Sequence, residues 1–323
     1  MRSPILNKLF KIIRQPVRYS STGKNFLIRD LNDSEFNELT QRARREGWNP
    51  GIYEYSSVFM AYSKGFKGLF STDNQLIASL SAVPYDMTSK KGRVIFLGNY
   101  ILLQTYRKFG IGKFFVNTVL AEFEDEVLLG LNAVKQQVGN YQRKFGFYPY
   151  HNIFRYAGIL KDQGFKNSFS ESEEKIQIIG HETLDIKQLT KYDTGVFSCP
   201  RNDLLLNWIK MPESQLFAAI KNNQICGYAV VSKCFNGYKL APFFAKDKYA
   251  AKSLSKAIFS AFTGKPMQID IPEKNHFAIE LATQIGLYKT FETTRMYKGE
   301  SEQIEHLEKE INQVYALTSL EIG

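Results

Sequence analysis

The sequence predicts an α/β chain of the α+β kind, arranged as two domains of similar plan. Three observations predict it. At 323 residues the chain is longer than one hydrophobic core ordinarily serves. Short apolar runs suited to strands alternate with stretches whose apolar residues recur at helical spacing. The same general order of strands and helices is then met a second time.

In the first half, FLIRDLNDSEFNELTQRAR reads as a strand and then a helix, with Asn32 or Asp33 placed to cap it. GWNPG makes a turn, and Tyr53 to Tyr62 is a second short helix. LFST, DNQLIASLSAV and GRVIFLGNYILL read as three strands joined by polar or glycine-containing turns. A helix follows from Lys113, its apolar face set by Phe115, Val116, Val119, Leu120 and Phe123. EVLLGLNAV is the next strand, and NYQRKFGF a short helix ending at Gly146, which leads into another strand-like segment. Residues 151–182, with the polar patch SFSESEEK, are expected to cross between domains. The second half runs from 183 to 300, and the tail 301–323 reads as one added amphipathic helix.

Hydrophobic residues make up 44% and charged residues 23%, the balance of a folded globular chain. A net charge of +10 favours polyanions such as nucleic acid, acidic lipid or a phosphorylated cofactor without choosing among them. No reading helix or RNP-like strand is recognisable, so nucleic acid is not expected as a partner. Cys199, Cys226 and Cys234 form no CxxC pair and the four histidines form no HExxH, so neither a disulfide framework nor a metal site is expected. A reducing, cytoplasmic setting fits. No apolar run has the length needed to cross a bilayer. Residues 1–25 form a basic extension in which Ile5, Leu6, Leu9, Phe10, Ile12 and Ile13 precede Pro16; this is a loosely attached helix, a peripheral membrane contact or an acid-poor targeting peptide.

The chemistry concentrates in YRKFGIGKFF. A strand enters a turn whose Gly110 and Gly112 allow close backbone approach, and the following helix offers unpaired amides beside Arg107, Lys108 and Lys113. A diphosphate fits there; so does a tight turn that needs glycine for packing alone. A P-loop is excluded because Phe114 stands where Ser or Thr must follow Lys113, and a Rossmann turn because phenylalanine takes the third glycine place.

RKFGIG resembles the R/Q-x-x-G-x-G/A signature of the GNAT N-acyltransferases, and NYQRKFGF is similar to the asparagine-bearing helix and closing Gly-Phe after their fifth strand. With KLAPFFAKD and LYKTFETTRMYKG in the second half, the chain is similar to tandem-GNAT proteins whose C-terminal unit is called an acetyltransferase-18 domain. The resemblance covers roughly residues 26 to 300. It implies two GNAT-like domains, each a mixed, mostly antiparallel central sheet flanked by helices, with residues 26–150 binding acyl-CoA. Acetyl-CoA, or another acyl-CoA, is the implied cosubstrate. Backbone groups of Ile101 and Leu103 would pair with its pantetheine arm. Arg107 and the amides of Lys108, Phe109, Gly110, Ile111, Gly112 and Lys113 would receive the pyrophosphate, and Asn140 would reach the arm from the other side.

The implied reaction is direct attack of a primary amine, from a small molecule or a lysine side chain, on the thioester. A backbone donor at Leu102 or Leu103 would hold the oxyanion. Where many relatives carry the tyrosine that protonates the thiolate stands Gln142, which is no acid; Tyr141 beside it is either a core aromatic or the donor. Asn99, Tyr100 and Asn132 are candidate substrate contacts, and Cys199, Pro200, Arg201 and Asp203 a candidate polar wall. The second half lacks RxxGxG and reads as degenerate. The alternative function is a noncatalytic acyl-CoA-binding protein on the same scaffold.

Overall fold

A computed structural model describes residues 16–19, 24–88, 92–123, 127–161 and 176–323. The apolar N-terminal stretch from Ile5 to Ile13 and the patch SFSESEEK lie outside the described residues. The first half contains β1 (Pro16–Tyr19), β2 (Lys24–Asp30), α1 (Asp33–Arg45), α2 (Glu54–Tyr62), β3 (Phe66–Phe70), β4 (Leu76–Asp86), β5 (Arg93–Leu102), α3 (Ile111–Leu120), β6 (Leu128–Val134), α4 (Val138–Phe145) and β7 (Tyr148–Ile159). The second contains β8 (Gln177–Ile179), α5 (Ile186–Phe197), α6 (Asn202–Ile209), β9 (Ser214–Lys221), β10 (Gln224–Lys233), β11 (Tyr238–Ala245), α7 (Lys248–Phe262), β12 (Pro266–Pro272), α8 (His276–Gln284), β13 (Tyr288–Lys298), α9 (Ser301–Leu307) and β14 (Val314–Ala316).

Local signals place several boundaries. Asn32 caps α1 and exchanges side-chain bonds with Glu35, so two orphan amides are satisfied at once. Gly146, left-handed at φ 76°, stops α4.

The two halves share one sheet, in the order β1-β2-β3-β4-β5-β6-β13-β7-β12-β11-β10-β9-β8. The mixed, mostly antiparallel sheets expected for the two halves are thus joined into one, flanked by helices. The last long strand of the second half, β13, runs between β6 and β7 of the first and pairs with both antiparallel, leaving neither an exposed edge there. Among the described residues only β5 with β6 and β11 with β12 are parallel pairs. One face of the sheet's first half packs α3 and α4 over Ile95, Leu97, Leu131 and Ala133. The opposite face carries a core that runs across both halves, from Phe36 and Tyr55 through Tyr85 and Phe96 to Trp208, Tyr228 and Leu317.

Two expectations are corrected. The supposed crossing at 151–182 begins with strand β7, in the middle of the sheet. The strand-like segment expected after Gly146 thus runs on to Ile159, and its Arg155 is kept inside by charge pairing, with Nε and Nη2 at 2.7 and 2.8 Å from Asp270. The tail is not one helix: α9 ends at Leu307, and Val314, Tyr315, Ala316 and Leu317 are buried in succession, a pattern that a strand or buried segment satisfies and a half-exposed helix does not. Buried ions also join the halves, since Lys239 Nζ of β11 sits 2.8 and 3.0 Å from the carboxylate oxygens of Glu54 in α2.

Candidate functional site

The register of β4 against β5 sets the site. Ser79 faces Ile101 and Ser81 faces Gly98, so Asn99 and Tyr100 together oppose the single residue Leu80. This is a β-bulge, and such bulges bend the strand that carries them. Asn99 is left-handed at φ 51°. Its Nδ2 donates to Ser81 Oγ at 3.3 Å, and its carbonyl accepts from Ser79 Oγ at 3.0 Å. Past the bulge β5 leaves β6: their pairing ends at Leu97 with Leu131, although β5 continues to Leu102 and β6 to Val134. A wedge opens between them.

Leu103 N–H donates to Ile77 O at 3.0 Å, and its carbonyl accepts from Tyr106 N at 3.0 Å. By the alternation of an antiparallel pair, Ile101 also turns its backbone groups to β4, and Leu102 turns its own into the wedge. This corrects the assignment of Ile101 and Leu103 to a cofactor arm; Leu102 is the residue whose backbone faces the right way. Its carbonyl accepts from Arg107 Nε at 3.0 Å. Arg107 also lies 3.7 Å from Glu46, so its guanidinium rests on the rim.

The turn itself has two left-handed residues, Lys108 at φ 74° and Gly110 at φ 77°. Gly110 is the N-cap of α3 and has no side chain to satisfy the first amides, which belong to Ile111, Gly112 and Lys113. Lys108, Phe109 and Lys113 are exposed around them. Gly112 has a packing duty: a Cβ built there would overlap the Tyr100 hydroxyl oxygen, while Leu102 Cδ2 and Tyr100 Cζ stand at 3.3 and 3.4 Å. Gly112→Ala is therefore expected to lower the melting temperature by several degrees, for a cost of about 1–2 kcal/mol. Adding Tyr100→Phe, which removes the overlapping oxygen, should recover most of that loss. Equal melting of the single and double variants would count against this contact.

On α4, Asn140 Nδ2 donates to Gln137 Oε1 at 2.8 Å, at the rim of the wedge. Tyr141 packs its ring on Phe145 and Phe147 at centroid distances of 5.9 and 6.0 Å. Burial, reinforced by the neighbouring Tyr100, pushes its hydroxyl pKa well up, so it holds its proton at neutral pH. Gln142 is exposed. Arg201, proposed for a polar wall, instead lies in the core on Asp193 at 2.9 and 2.7 Å and on Thr318 at 2.7 Å; Cys199 is buried, too. Among the described residues no cluster of His, Cys, Asp and Glu is arranged to hold a metal, and no helix is long and apolar enough to cross a membrane.

The second half repeats the wedge and fills it. β11 and β12 pair at Tyr238 with Met267 and Lys239 with Gln268, and β14 then pairs with β11 at Phe243 and Phe244. The helix that follows, α7, begins under Asp247, whose carboxylate accepts from the amides of Tyr249 and Ala250. A peptide strand and a negative cap thus stand where the first half has an open wedge and free amides. From there the tail crosses to the first half: Leu320 O accepts from Asn132 Nδ2 at 2.7 Å and Ile322 O from the Tyr85 hydroxyl at 3.0 Å. Sequence reasoning missed the bulge and the tail's return. The Gly98-Asn99 pair inside an apolar strand is the signal that announces the former.

Residues 189–316 match the Acetyltransferase (GNAT) domain family. Over 290 residues the chain is 24% identical to holothin acyltransferase of Pseudoalteromonas sp. (strain SANK 73390), covering 90% of this chain and 92% of the relative. It is 21% identical over 295 residues to an uncharacterized N-acetyltransferase, YitH, of Bacillus subtilis (strain 168), covering 91% and 97%. Among solved structures, a Pyrococcus horikoshii protein assigned as an acetyltransferase aligns with TM-score 0.72 at 18% identity over 92% of this chain and 96% of its own. A tandem GNAT protein from the clavulanic acid biosynthesis pathway aligns at 0.57 and 10%, over 85% and 99%. Residues 189–316 thus form a GNAT acetyltransferase domain, and over most of its length the chain is similar to acyltransferases. It is an enzyme of the acetyltransferase class.

Proposed function

We propose that this chain transfers an acetyl group from acetyl-CoA to a primary amine by direct attack in a ternary complex, in the first half only. The observation that carries the reading is the open wedge past Leu97 and Leu131, with the uncapped start of α3 at its foot. The pyrophosphate binds the amides from Lys108 to Lys113, with Arg107 turning from the rim to meet it. Asn140 contacts the arm from α4. Leu102 N–H, directed into the wedge, donates to the oxyanion that forms when nitrogen bonds to the thioester carbon. The C–S bond then breaks and sulfur takes a proton, for which the Tyr141 hydroxyl is the source. The second half, with its own wedge filled by β14, supports the acceptor side and binds no cofactor. Buried, unpaired Cys199, Cys226 and Cys234 support a reducing cytoplasmic setting.

A second reading, acyl-CoA binding without transfer, is favoured by the exposed Gln142 in the family's tyrosine position. Calorimetric titration with acetyl-CoA, followed by release of free CoA with a panel of primary amines, separates the two. Saturable binding near one site per chain with amine-dependent CoA release is expected; binding without release establishes the second reading. Tyr141→Phe should lower turnover at least tenfold and leave acetyl-CoA affinity within about twofold. An unchanged rate returns Tyr141 to the core.

A further inference from the structure

The core shared by the two halves holds a partly open cavity of about 40 Å³, which none of the steps above uses. Tyr85, Phe96, Phe197 and Phe244 give it aromatic walls, and Leu307, at the end of α9, is a half-buried part of its lining. Arg295 of β13 lines it too and is 5% exposed.

Among the described residues four arginines are buried, and three of them give Nε and Nη2 together to a carboxylate: Arg42 to Glu38, Arg155 to Asp270 and Arg201 to Asp193. That edge of the guanidinium is the one a carboxylate fits best. Arg295 departs from the pattern. Its Nε donates to Asn132 Oδ1 at 2.8 Å and its Nη1 to the Tyr297 hydroxyl at 3.2 Å, both neutral partners, while Nη2 has no acceptor. Glu308 Oε1 stands 3.6 Å from Nη1, outside hydrogen-bonding distance. The Glu308 oxygens are already served, one by the Tyr297 hydroxyl and the other by His151 Nε2 at 3.2 Å. A buried cation with an N–H group left over marks a place for an acceptor.

We infer that this cavity binds a short-chain carboxylic acid as its anion, the carboxylate on Arg295 Nη2 and the hydrocarbon against the aromatic walls. The guanidinium lies over the Phe96 ring, 4.8 Å from its centroid, so the charge and an apolar wall meet at one point. An inorganic anion would leave those walls unused. The free space limits the ligand to a few heavy atoms, about the size of propionate. Arg295 pairs with Asn132, the first β6 residue past the last pair with β5, which sets it beside the wedge. The carboxylate therefore belongs either to the acceptor amine itself or to a separate small acid. Only the first of these sources rests on the acyl-transfer reading.

The test uses the full chain, sodium propionate as probe and propionamide as its neutral isostere, with ionic strength held by sodium chloride. Ligand-observed NMR titration reads the binding. The wild-type protein is expected to bind propionate saturably and propionamide at least tenfold more weakly. No saturable propionate binding, or equal binding of the two, overturns the site. Arg295→Lys keeps a charge and loses the planar fork, and should weaken propionate at least tenfold. Because Arg295 also ties Asn132 to Tyr297, a second variant leaves every charge in place: Leu307→Trp puts an indole into the cavity and should weaken propionate at least tenfold as well. Undiminished binding in Leu307→Trp overturns the site even where Arg295→Lys does not fold.

Propionate added to the acyl-transfer assay separates the two sources. A raised KM for the amine at unchanged kcat, with a preference for β-alanine over ethylamine that Leu307→Trp removes, makes the carboxylate the acceptor's own. Binding without competition makes it a separate acid. If no amine releases CoA while propionate binding still falls in Leu307→Trp, the transfer reading fails and the carboxylate site stands.

Discussion

Gly110→Val is expected to abolish measurable acyl-CoA binding, a loss of at least a hundredfold, in a protein that still folds. Gly110 sits at φ 77° with α3 starting at the next residue. A β-branched side chain in the left-handed region costs on the order of 1–3 kcal/mol, which the turn relieves by rotating and taking the first amides of α3 out of line. The branched carbons also cover the approach to those amides. Gly110→Asn separates the two effects, because asparagine tolerates the left-handed region better. It should keep the turn and lose affinity by about tenfold or less. Calorimetry with CoA measures both. Unchanged affinity in Gly110→Val would remove the turn from the binding site, and equal losses in both variants would mean that added bulk, not backbone strain, decides.

What was legible in the sequence was local. Glycines at Gly110, Gly112 and Gly146 and the apolar spacing of α3 announce the turn, its helix and the end of α4, because each depends on residues a few positions apart. Pairing of distant segments was not legible. β13 reads as an ordinary terminal strand of its own domain, and nothing local says that Thr293 to Lys298 will pair with β6. A strand after Gly146 was legible, but its central place in the sheet was not, because Arg155 looks like a surface residue until Asp270 is brought beside it. The tail's path was hidden for a related reason: its anchors, Asn132 at Leu320 and Tyr85 at Ile322, lie far away along the chain. Tyr141 could be placed on its helix from sequence, while the amide direction of Leu102 required the register with β4.

Gly98→Val is expected to stop turnover and leave acyl-CoA binding within about threefold. At Gly98 a side chain points to the face that carries the tail, and the atoms it meets are the carbonyl oxygen, Cα and Cβ of Glu321, so no flexible side-chain end can swing aside. One of two backbones must yield. The tail is held by Asn132 at Leu320 and Tyr85 at Ile322, whereas β5 is tied along its length to β4. The tail is therefore the segment displaced, at a cost on the order of 3 kcal/mol by overpacking. The tail leaves this face of β5 while α3 and its turn, on the other face, stay in place. Melting, CoA calorimetry and CoA release read the three consequences separately. Normal turnover in Gly98→Val would show that the tail is not needed at the acceptor side. Loss of acyl-CoA affinity together with turnover would mean that β5 moved instead, carrying the Asn99 bulge and the direction of Leu102 N–H with it.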